Sequence, residues 1–149
     1  MGQAIKDEDV CGIATIPATE RFQTFKLELM TELPTEHIDI IEKLTNMYPE
    51  TIEGFKEYMI EEFTTFCKKQ YDYGPGNISV GTQLKDEKEI MISLKGLWFR
   101  MNDKIQRLFN IILVRDSLEA TNESVEDAWQ DLAVYGKICR LVKDKKWAK

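Results

Sequence analysis

Residues 87–115 read EKEIMISLKGLWFRMNDKIQRLFNIILVR, and this stretch decides the fold class. Ile90, Leu94, Leu97, Met101, Ile105, Leu108, Ile111 and Ile112 recur at the spacing of one helical face. That period predicts a long α-helix with this stripe as its buried side. Arg100, Asp103, Lys104 and Arg107 follow at i, i+3, i+4 and i+7, so they share a second, charged stripe of the same helix. Phosphate esters are the natural guests of such a stripe, because guanidinium forks match phosphate oxygens in geometry and charge.

Outward from this helix, the neighbouring segments read the same way. Residues 122–126 open a last helix with acidic residues in its first turn, where the helix dipole favours them. Its apolar side is expected to hold Val125, Ala128, Trp129, Leu132, Ala133, Gly136 and Cys139, and residues 143–149 to fray. Upstream, Pro49 opens a helix on which Ile52, Phe55, Met59, Phe63 and Phe66 make an apolar stripe. It should stop at Tyr73-Gly74-Pro75-Gly76, where glycine and proline oppose continuation. Residues 77–88 are polar and predict a flexible connection, a candidate lid. Thr35 is a candidate N-cap for a first helix carrying Ile38, Ile41 and Leu44. Residues 1–33 lack a deciding period and read as an N-terminal arm. The expected architecture is therefore all-α: a bundle of about four main helices over residues 34–149, preceded by the arm. Wide apolar stripes on so few helices lead to the expectation of a homo-oligomer.

Composition narrows the function classes. The chain has 149 residues, enough for one core without staples, and a formal net charge of −6, which argues against a broad surface for duplex nucleic acid. Cys11, Cys67 and Cys139 have no short spacing, and His37 stands alone, so neither a disulfide framework nor a zinc site is indicated. No secretory leader or apolar run long enough to span a bilayer is present, and a cytoplasmic protein is expected. No Ser/His/Asp or Cys/His set offers nucleophilic hydrolysis.

The residues left to carry chemistry are charged or aromatic. Glu123, Asp127 and Asp131 step by four along one face of the last helix, and such carboxylates repel unless cations or a divalent ion neutralise them. Magnesium suits oxygen donors shared with a substrate phosphate, and Glu57, Glu61 and Glu62 are further donors. At the helix stop, Asp72, Tyr73 and Asn77 follow Lys68 and Lys69; the ring could stack on a base and the amide read its edge. The plainer reading of every one of these charges is a solvated face or an ordinary i, i+4 pair.

Taken together, Lys69-x-x-Asp72-Tyr73-Gly74-x-x-Asn77, then Arg100-x-x-Asp103-Lys104-x-x-Arg107-Leu108, then Asn122-Glu123-Ser124-x-Glu126-Asp127-x-x-x-Asp131-Leu132-Ala133-x-Tyr135 resemble a helical family found widely in bacteriophage genomes, the nucleotide-modification-associated domain of the first type. The resemblance spans roughly residues 55–147. It implies a phage protein that binds or acts on nucleotides or modified nucleotides in the host cytoplasm. A more distant similarity is to the all-α nucleoside triphosphate pyrophosphohydrolases, which hold magnesium with Glu-x-x-Glu and Glu-x-x-Asp pairs. Here Glu57 and Glu61, and Asp127 and Asp131, step by four instead of three.

Two functional expectations follow, with a structural protein without ligand as the third. As an enzyme, the protein would bind phosphates through Arg100, Lys104 and Arg107, hold magnesium with Asp103, Asp127 and Asp131, and position water with Glu61, Asp127 and Asp131. As a sponge, it would sequester a host defence nucleotide with the same cations, Lys69, Asp72, Tyr73 and Asn77, without turnover. What separates them is whether the carboxylates converge on a metal position or are each consumed by a cation.

Overall fold

The computed structural model describes residues 37–149, all-α and without a strand among them. The N-terminal arm and Thr35 lie outside these residues. The chain divides into two compact units, Met1–Pro49 and Glu50–Lys149. In the first, α1 (Ile38–Met47) ends as Tyr48 N–H donates to the Leu44 carbonyl.

The second unit carries the site. Helix α2 (Pro49–Tyr73) stops where expected: Gly74 takes φ 63° and its N–H donates to the Gln70 carbonyl at 3.0 Å. A left-handed residue at this position costs glycine nothing. A four-residue helix, α3 (Gly76–Ser79), follows, then α4 (Glu87–Leu108), whose N-cap Asp86 accepts from Glu89 N–H. The last turns of α4 widen into a π-helical segment, Phe109–Val114. Helix α5 (Val125–Lys143) starts at the N-cap Ser124, whose hydroxyl accepts from Asp127 N–H.

Helices α4 and α5 form the core. Ile90 and Leu97 of α4 share one buried cluster with Val134, Ile138 and Val142 of α5, and Ser93, Ile111, Val125 and Ala128 are buried as well. The α5 stripe therefore runs 125, 128, 131, 134, 138, 142. Asp131 sits within it, and Trp129, expected inside, is 46% exposed. On α4, Ile105 of the expected stripe is also turned out, at 49% exposed. On α2, Phe55 and Phe63 are exposed and no residue is fully buried, so the stripe read from its sequence is only partly covered.

Two other segments are tighter than their sequence suggests. Ile78, Ser79 and Leu84 are buried, and Ser93 Oγ donates to the Ile78 carbonyl at 2.6 Å, so the connection into α4 is packed down. Val80 and Leu84 hold left-handed φ of 52° and 54°, which non-glycine residues keep only where packing enforces it. Gly96 faces this segment; a Cβ there would lie 3.4 Å from Val80 Cγ2. The tail does not fray either. Trp147 is 5% exposed, stands edge-on to Phe66 with centroids 6.2 Å apart, and donates its indole N–H to the Pro75 carbonyl at 3.2 Å.

Trp147 thus clamps the end of the chain onto the α2–α3 turn. Trp147→Ala should cost about 3–5 kcal/mol, the usual loss for a large buried ring. Trp147→Phe should recover all but about 1 kcal/mol, the share of one hydrogen bond. Urea denaturation of the two variants measures both; equal losses would mean that the hydrogen bond, not the packing, is what matters.

Candidate functional site

Two helical stripes face each other across a cavity of about 300 Å³. Helix α2 contributes Phe66, Lys69, Gln70 and Tyr73, and α5 contributes Asp131, Val134, Tyr135 and Ile138. Both sets step i, i+3, i+4, i+7, so each is one face of one helix. Asn77 and Ile78 of α3 close one side, and Arg100 of α4 another. Lys69, Tyr73, Asn77, Arg100 and Asp131, named from sequence, are thus brought together. Phe66, Gln70 and Tyr135 complete the wall, and the i, i+3, i+4, i+7 pattern around Lys69 and Asp131 was the signal that could have found them.

The centre of the charge network is Asp131. Its Oδ1 accepts from Lys69 Nζ at 2.8 Å and its Oδ2 from Lys104 Nζ at 2.8 Å. Lys104 also reaches Glu123 at 2.9 Å and Asp127 at 3.8 Å. Burial opposes the charge of Asp131, but the hydrogen bonds from Lys104 and Lys69 outweigh it and hold the carboxyl below its usual range. Burial likewise works against both lysines, and their hydrogen bonds to Asp131 overcome it, raising both. Glu123, at the surface, is lowered by its hydrogen bond from Lys104.

The two arginines have different stations. Arg100 donates through Nη2 to the Asn77 carbonyl at 2.9 Å and lines the cavity. Arg107 donates through Nη1 to the Ser124 carbonyl at 3.0 Å, tying α4 to the start of α5 outside the cavity. Its Nη2 is buried without a hydrogen-bond partner, as is Asn77 Oδ1 within the cavity wall. Asp72, Asp103 and Glu61 are exposed and lie outside the cavity lining. On α2 it is Glu62 that crosses to α5, by an ion pair with Lys137.

The magnesium implied by the distant pyrophosphohydrolase likeness does not fit this arrangement. An ammonium, Lys104 Nζ, lies among Glu123, Asp127 and Asp131, where a cation would have to sit. Among the described residues no three acids, histidines or cysteines gather as a metal-ligand set. No helix among the described residues is long and apolar enough to cross a membrane. No family model matches the chain, and neither a curated protein nor a solved structure is found to be similar to it.

The network makes a pH prediction. With the folded pKa of Asp131 depressed, the unfolded chain binds the extra proton, and stability rises with pH through that window. The contribution is complete above the unfolded carboxylate value, about 4, and is lost as pH falls through the folded one. Asp131→Asn should therefore flatten the acid limb of stability against pH. At neutral pH it should cost about 3 kcal/mol, the low end for breaking a buried pair, since Lys69 is half exposed. Chemical denaturation from acid to neutral pH reads both.

Proposed function

We propose that the protein binds a nucleotide or modified nucleotide in the cavity between α2, α3, α4 and α5, and that it holds this ligand without hydrolysing it. The observation that carries the reading is the composition of the cavity wall: Lys69 and Arg100 stand against one acid, Asp131, beside the rings of Phe66, Tyr73 and Tyr135. The cations suit a phosphate and the rings suit a base, which stacks on aromatic faces whatever its identity. Asn77 lines the same wall, its backbone carbonyl held by Arg100.

Sequestration is favoured over turnover by the fate of the carboxylates. Asp131 is consumed by two lysines and Asp127 and Glu123 lie within reach of one of them, which leaves no acid in the wall to hold a metal or take a proton from water. The resemblance to the phage nucleotide-modification-associated domain agrees with a nucleotide ligand, and a sponge for a host defence nucleotide is the role that combines the two.

Native mass spectrometry of the protein incubated with pooled nucleotides, in magnesium and in chelator, tests the reading. An intact ligand retained in both buffers is expected. Arg100→Ala should weaken binding by about 10–100-fold, the worth of a charge-assisted hydrogen bond of about 1.5–3 kcal/mol, with helix content unchanged. Arg107→Ala should leave affinity within about threefold, since Arg107 holds the backbone outside the cavity. A magnesium-dependent product, or equal losses from both arginines, would overturn the proposal.

A further inference from the structure

Helix α4 is apolar on two sides. Opposite its buried stripe a second one starts on α4 and runs on into the π-helical segment after it, with Met91, Lys95, Trp98, Asn102 and Ile105 on α4 and Phe109 and Ile112 beyond it, in alternating steps of four and three along the sequence. That 3.5-residue period is the seam of a helix that packs along another helix. Met91, Trp98, Ile105 and Phe109 are each about half exposed, and Ile92, Phe99 and Leu113 beside them are 41%, 62% and 70% exposed. A surface helix ordinarily turns a polar face outward. Here Lys95 is the single charged residue of the stripe.

We propose that this outer stripe is the interface of a homodimer, in which two copies of the chain pack α4 against α4 across a two-fold axis passing near Asn102. Two observations choose a second copy as the occupant. The first is area. At roughly 150–250 Å² for an aromatic side chain, the exposed parts of these apolar residues add to the order of 700 Å². That is close to the roughly 800 Å² each partner contributes to a standard interface, and above the few hundred of an ordinary surface patch.

The second is that the stripe is complementary to its own reverse. About an axis at Asn102, Met91 meets Leu113, Ile92 meets Ile112, Phe99 meets Ile105, and Trp98 meets Gln106, the one ring set against an amide side chain. Lys95 meets Phe109, a cation opposite a ring, and Asn102 meets its own copy, amide to amide. A buried asparagine at such a position fixes register and oligomer order in paired helices. The shallow apolar groove lined by Ile105, Leu108, Phe109, Ile112 and Leu113 supplies a hole for the partner's side chains at each end.

Sedimentation equilibrium of the full chain across the micromolar range should give twice 17.4 kDa. Ile105→Glu should weaken the dimer by about 100-fold while circular dichroism keeps its helical signal. Because a charge in the seam can also unfold a chain that needs its partner, a second variant reads the geometry directly. Asn102→Cys, with the native cysteines changed to serine, should cross-link into a disulfide dimer under mild oxidation, and Lys143→Cys in the same background should not. A full chain that sediments as a monomer, whether residues 1–49 or another partner covers the seam, would overturn the proposal. So would a dimer that Ile105→Glu leaves intact and Asn102→Cys does not cross-link.

Discussion

One carboxylate, that of Asp131, joins three helices. It sits on the buried stripe of α5 and takes Lys69 from α2 on one oxygen and Lys104 from α4 on the other. An acid in that position is unfavourable unless both oxygens are met, and removing either lysine costs more than the pair contributes over a neutral alternative. The arrangement therefore specifies position more than it adds stability. Helix α2, which has no fully buried residue of its own, is held to α5 through Asp131, through Glu62 and Lys137, and through Gln130 and Thr65. Phe66 adds an apolar contact to Trp147, and the cavity lies between α2 and α5 beside these links.

The cavity wall is asymmetric in a useful way. Its apolar part, Ile78, Val134 and Ile138, belongs to the core, so that side is rigid. Its polar part comes from α2 and from the turn that Trp147 clamps. Arg100 bridges the two by holding the Asn77 backbone, which leaves the side-chain oxygen of Asn77 committed to no protein group. The resulting wall sets Lys69 and Arg100 beside the rings of Phe66, Tyr73 and Tyr135.

Much of this architecture is legible from period alone. The extent of α2 follows from proline and glycine punctuation, and the courses of α4 and α5 from three-to-four spacing, because those signals are local, while the change to a π-helical turn at Phe109 has no such signal. Depth is not local. Periodicity gave α5 an apolar side containing Trp129, yet the buried stripe is turned toward Asp131, since two lysines distant in sequence make an acid cheaper to bury there than an indole. The same holds for residues 77–88, polar in composition but pinned by Ser93, and for Trp147, whose partner Phe66 lies on a different helix. Of the site, the charged members could be named from spacing. Which of them share a wall could not, because Arg100 and Arg107 differ by two turns of one helix and end on opposite sides of the Lys104 ion pairs.

Those two turns matter for how α4 must be held. Its inner stripe fixes one side against α5, and Arg100 and Lys104 continue that stripe beyond Ser93 and Leu97. A helix gripped along one face can roll about its axis, and at 3.6 residues per turn a small roll swings a long side chain by ångströms at its tip. Arg100 holds the Asn77 backbone by a single hydrogen bond, too weak alone to resist such motion. Covering the outer stripe with a second copy would brace α4 from the opposite side. The proposed interface and the cavity then make demands of the same helix: one needs its outer residues apolar and continuous, the other needs cations on its inner side, and residues 87–115 carry both because Arg100 and Lys104 continue the inner stripe, opposite the outer one.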